Sequence, residues 1–178
     1  MKLLRDVCAL RPDLIISFSG VNDLMVRENS NPFLPSYLSG VWENLPVKHW
    51  SGAARQLPEK EELRGFDFWY KMEEIMHFVS SIFGAEFRCF AQPIMYSQEY
   101  LPQERRWAFE RLEDRESAIE FRKKAKQIEK EWFVNLTDIL DDKPQVFIDF
   151  MHVDEEGNNI IADHIYRHIE HILQQRRE

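Results

Sequence analysis

Residues 3–10, LLRDVCAL, carry apolar side chains at 3, 4, 7, 8 and 10, a helical spacing, and Arg11-Pro12-Asp13 stops that helix. LIISF, Leu14 to Phe18, is a nearly continuous apolar run and predicts a strand buried on both faces. Between residues 27 and 60, Pro32, Pro35, Pro46 and Pro58 alternate with Gly40 and Gly52, which predicts a long loop region. Such a loop is either functional or a packed surface insertion. Residues 61–83 predict an amphipathic helix whose stripe is Phe68, Trp69, Met72, Ile75, Met76, Val79, Ile82 and Phe83, with Gly84 as terminator. AEFRCFAQP predicts a second strand, with Phe87, Cys89 and Ala91 alternating against Arg88 and Phe90. A long charged helix is predicted over roughly residues 103–140, its inner stripe running from Trp107 through Trp132 and Leu136 to Ile139. Gln145 to Phe150, QVFIDF, predicts a third strand. Asp154-Glu155-Glu156 then caps a final helix from Gly157 to about Leu173.

Helices alternating with strands imply an α/β fold with a parallel sheet and helices on both faces. Sites in such sheets form beyond the C-terminal ends of strands, here after Phe18, Ala91 and Phe150. The 178 residues are enough for one domain with its own core, and 44% hydrophobic with 30% charged residues excludes disorder and collagen-like structure. A net charge of −8 argues against a general nucleic-acid binder, which needs a basic face. The apolar runs fall short of the roughly 18 residues a membrane span needs. The opening Met1-Lys2-Leu3-Leu4-Arg5-Asp6 is charged too soon for a secretory signal. Two cysteines make neither a disulfide scaffold nor a cysteine zinc site, and Cys8 and Cys89, among apolar neighbours, read as buried thiols. A nucleotide binder of the flavodoxin type would need a Gly-rich phosphate loop after the first strand, and none is present.

Two strand ends carry chemistry. The first reads Ser19-Gly20-Val21-Asn22-Asp23: Gly20 permits a sharp exit, and the Asn22 amide can donate hydrogen bonds at the sheet edge. Read alone, Asn22 and Asp23 equally cap the next helix. The other reads Asp149-Phe150-Met151-His152. That spacing lets the carboxylate fix the imidazole tautomer and leaves the second ring nitrogen as a base. Alone, this pair is equally an Asp capping a turn beside a loop His.

Taken together, RPDLIISFSGVNDL and VFIDFMHVDEEGNNIIADHI resemble the G-x-N-D block and the D-x-x-H block with closing helix of the SGNH (GDSL-like) hydrolase family. The resemblance implies a three-layer α/β/α sandwich with a parallel sheet, flavodoxin-like in outline, and an activity on esters of lipids, acetylated sugars or acyl thioesters. It implies that His152 is the general base, that Asp149 orients it, and that Asn22 donates to the oxyanion. Gly20 and Asp23 would shape that loop. The family's Gly-Asp-Ser block, which carries the nucleophile, and its second block, which carries an oxyanion-hole glycine, are not in this sequence. Ser17 and Ser19, the nearest serines, lie on the strand and lack the strained turn that exposes a nucleophile.

Residues 1–178 are therefore expected to be the C-terminal portion of one such domain, N-terminally truncated by a start at an internal Met, or a gene remnant. As given, the chain is expected to be inactive. The family's missing strands would pair beside Ile15-Ile16, so a preceding segment or a partner chain is expected to cover that edge. A small-molecule or carbohydrate ester, such as a sugar O-acetyl group, is the expected substrate. The alternative is a non-catalytic binding or scaffold module on the same fold. Gln92 and Tyr96, in the loop after the second strand, are candidate pocket residues. Tyr96 and Tyr100, like Trp42 and Trp50 of the long loop, are candidate stacking platforms for a sugar or ordinary surface aromatics. His164, His168 and His171 share a face of the last helix; an i, i+4 pair can bind a metal, but without a carboxylate or thiol partner none is assigned. No cofactor is called, and localisation is left open, cytoplasmic if Met1 is the true start.

Overall fold

The computed structural model describes residues 10–20, 65–95 and 112–175. Its centre is an open three-stranded parallel sheet in the order β1-β2-β3, with β1 Leu14–Ser19, β2 Glu86–Ala91 and β3 Phe133–Asn135. Parallel neighbours need crossovers. Helix α1, Gly65–Ile82, lies between β1 and β2, and α2, Leu112–Ala125, between β2 and β3. Helix α3, Glu155–Gln175, follows the last strand. Among the described residues, no helix is long and apolar enough to cross a membrane.

Central β2 is the buried strand of the sheet. Its residues from Phe87 to Ala91 are all buried, as expected for a strand covered on both faces. Phe87 meets His77 of α1 and Trp132. Phe90 clusters with Leu136 and Ile169 and meets the ring of His168, so α3 covers the opposite face. Helices α1 and α2 join through Trp69 and Phe121, whose ring centroids are 4.7 Å apart. The buried Arg122 of α2 forms a two-pronged ion pair with Asp141, tying the helix to the turns after β3.

Several expectations hold. The first strand forms and runs one residue further, to Ser19, although it is not buried on both faces as expected, Ile16 and Phe18 being exposed, and the second forms as read. Gly84 ends α1 at φ 72°, the left-handed conformation of a helix stop. Cys89 is buried. Asp154 caps the last helix, accepting from the N–H of Gly157 at 2.9 Å.

Three expectations fail. Residues 103–140 are not one helix: α2 ends at Ala125, a turn follows with Ile128 N–H donating to Ala125 C=O, and β3 occupies Phe133–Asn135. The spacing of Trp132, Leu136 and Ile139 imitates a helical stripe, but Phe133 and Val134 favour a pleated, buried strand. Gln145–Phe150 is not the third strand. Pro144–Val146 form a 3₁₀ turn, and Phe147 makes an isolated antiparallel bridge to Val153. Pro144 suits the start of a helical turn because it lacks the N–H that such a start leaves unused. The inner face of α1 is also rotated from the stripe read in the sequence. Phe66, Trp69, Glu73 and Ser80 are buried, whereas Ile75, Ile82 and Phe83 are exposed. The expected helix over residues 3–10 and the loop over 27–60 lie outside the described residues, apart from Leu10.

Candidate functional site

The segment from Val146 to Asp154 is a short closed loop. Buried Val146 and Phe147 anchor one side. Across the neck, Ile148 N–H donates to His152 C=O at 2.8 Å and Asp154 N–H to Val146 C=O at 2.8 Å. Inside it, Asp149 Oδ1 accepts from the N–H groups of Met151 at 2.9 Å and His152 at 2.8 Å. This is the local side-chain-to-backbone bonding that Asp favours in turns. The other oxygen, Oδ2, lies 2.7 Å from Nδ1 of His152. Spacing of three thus brings carboxylate and imidazole together, as the sequence reading expected, on a tight turn and not on a strand end.

Partial burial of Asp149 works to raise its pKa. The Met151 N–H and the His152 ring and N–H outweigh that and hold the carboxyl below its ordinary value. The carboxylate is therefore ionised at neutral pH and acts as an acceptor towards Nδ1, which leaves Nε2 as the basic nitrogen of a neutral ring. The His152 side chain is 66% exposed.

Backbone hydrogen bonds hold this loop at the C-terminal edge of the sheet. Met95 N–H, four residues past β2, donates to Phe150 C=O at 3.0 Å. Gln92 N–H donates to Ser19 C=O at 3.2 Å, and Leu136 N–H to Ala91 C=O at 3.2 Å. The exits of all three strands and the Asp149–His152 loop are thus joined along one edge, where open α/β sheets place their sites. The loop around Phe150 therefore lies at that edge, although the strand that precedes it is β3 and ends at Asn135.

At the exit of β1, Gly20 has φ 131°, a conformation that side chains rarely adopt. A Cβ there would also lie 2.5 Å from Cζ of Phe121, which is fully buried. Glycine at position 20 therefore has both a backbone and a packing cause, while the turn expected to follow it lies outside the described residues. Gln92 is half-buried at the same edge. Asn22, Asp23, Tyr96, Tyr100, Trp42 and Trp50 lie outside the described residues.

One polar cluster was not anticipated. Glu73 of α1 is 1% exposed, and its Oε1 accepts from Ser17 Oγ and Ser19 Oγ, each at 2.9 Å. Trp69 Nε1–H donates to Ser19 Oγ at 2.9 Å. Burial, the Glu73 charge and the thiol's hydrogen bond to Glu73 push Cys89 far above the ordinary thiol range. A buried carboxylate is retained only where donors surround it. The signal in the sequence was Ser17 and Ser19 alternating on one face of an otherwise apolar strand, opposite a Glu one turn beyond Trp69. Both serine hydroxyls are committed to Glu73, which agrees with leaving them out as nucleophiles. No protein-family model, curated protein or solved structure matches the chain.

Proposed function

We propose that the chain is the base-bearing portion of an SGNH-type ester hydrolase of three-layer α/β/α architecture. The observation that carries this reading is the Asp149–His152 pair, with Nδ1 held at 2.7 Å from Asp149 Oδ2 and the imidazole exposed, on a loop bonded to the segment after β2. In the proposed reaction, His152 Nε2 takes the proton from a serine hydroxyl as its oxygen attacks the ester carbonyl. Asp149 stabilises the imidazolium, and the Asn22 amide donates to the oxyanion. His152 then returns the proton to the leaving alcohol, and water attacks the acyl-serine by the same route. No Gly-Asp-Ser occurs among the 178 residues, so the serine belongs to polypeptide other than these residues. An O-acetyl group on a carbohydrate is the proposed substrate class, with Gln92 and Tyr96 proposed to line the pocket.

The test is hydrolysis of p-nitrophenyl acetate and of an acetylated polysaccharide by the protein as its natural source makes it. His152→Ala is expected to lower kcat by roughly 10⁴-fold, and Asn22→Ala by about 10²–10³-fold. Hydrolysis indifferent to His152→Ala would overturn the assignment. The absence of Gly-Asp-Ser favours one second reading, a non-catalytic binding module on the same fold, and a natural-source protein without esterase activity would establish that reading instead.

A further inference from the structure

His164, His168 and His171 lie along α3. At 3.6 residues per turn they share one face, within roughly 60° of arc. That face borders the line of Ile161, Ile169 and Ile172, which are buried and fasten the helix to the body of the protein. His164 is half-buried, and His168 and His171 are exposed. The His168 ring also meets the buried Phe90 ring edge-on, with centroids 6.1 Å apart, so it stands against a fixed wall.

Among the described residues, no three His, Cys, Asp or Glu side chains converge as a metal-holding group. Among the described residues the histidines of α3 therefore offer a pair of ligands and no larger set. Positions i and i+4 on a helix place Cβ atoms about 5–6 Å apart, one above the other. Two imidazoles so spaced reach one ion at the usual zinc–nitrogen distance of about 2.0–2.1 Å, as in helical H-x-x-x-H pairs. We propose that His164 and His168 chelate one divalent transition-metal ion of the zinc or nickel kind on the open face of α3, with water completing its coordination. Imidazole suits such ions, whereas magnesium and calcium require oxygen ligands. His171 lies a turn beyond the pair and is not needed. The proposal is independent of the esterase reading, because α3 contributes no group to the proposed reaction.

The experiment is calorimetric titration of the full chain with zinc chloride, nickel chloride and magnesium chloride at pH 7.5. One equivalent of zinc or nickel is expected to bind saturably, and magnesium not at all. His164→Gln and His168→Gln are each expected to abolish that binding, while His171→Gln retains it. The melting temperature should rise with zinc in the parent chain and in His171→Gln only, a second readout that reports folding of each variant directly. Absence of saturable binding would overturn the proposal. Binding that survives both His164→Gln and His168→Gln would overturn it too, because the ion would then sit on other histidines.

Discussion

At Asp149, one carboxylate serves three donors, and its lowered pKa turns that geometry into a pH dependence. A carboxyl whose folded pKa lies below its unfolded one adds stability above the unfolded value. That stability is lost as pH falls through the folded value. His168 acts in the same direction in a higher window. Its folded pKa lies below the ordinary 6.5. Between the two values the unfolded chain holds a proton that the folded chain does not, so stability falls as pH drops through that interval. Urea melts at successive pH values should therefore lose midpoint first just below pH 6.5 and again under the carboxylate range. His168→Gln should remove the first step, and Asp149→Asn should remove the second while leaving the first. A first step of unchanged size in His168→Gln would contradict this account.

Among the elements, α3 has the most closely determined start. Asp154 Oδ1 takes the Gly157 N–H, and Glu155 and Glu156 place negative charge in the first turn. Gly157 is there for space: a Cβ would lie 2.6 Å from Cβ of Val153 and 3.1 Å from Cγ2 of Val146. Asp154→Ala should lower unfolding free energy by about 1 kcal/mol. Gly157→Ala should lower it by roughly 1–3 kcal/mol despite the better helix propensity of Ala. Chemical denaturation measures both, and a stabilised Gly157→Ala would show that this contact relaxes freely. This helix was legible because a capping Asp and an acidic first turn mark its start. Strand β3 was hidden because it is short and because Trp132 and Leu136 continue the spacing of α2. The rotation of α1 was hidden because Glu73 occupies an inward position that pattern alone assigns to an apolar residue. The serines across from it on β1 and the Cys89 thiol help make that position tolerable.

For the whole molecule, the sheet is what gives the motifs their meaning. Gly20, Gln92 and the Asp149–His152 loop come from distant stretches of chain, and they meet because parallel strands send all their C-terminal ends to one edge. That edge was legible from the alternation of elements. The fastening of the dyad loop through Met95 was not, because it is a backbone bond between two irregular segments. Strand β1 has one strand neighbour among the described residues, and its Ile16 and Phe18 are 43% and 39% exposed. Apolar side chains on an edge strand are a surface suited to strand pairing or packing. The most direct test is to label the natural-source protein with a fluorophosphonate and map the adduct by peptide mass spectrometry. The account predicts one modified serine, in a Gly-Asp-Ser context outside these 178 residues, with labelling suppressed by His152→Ala. No adduct, or an adduct on Ser17 or Ser19, would contradict it.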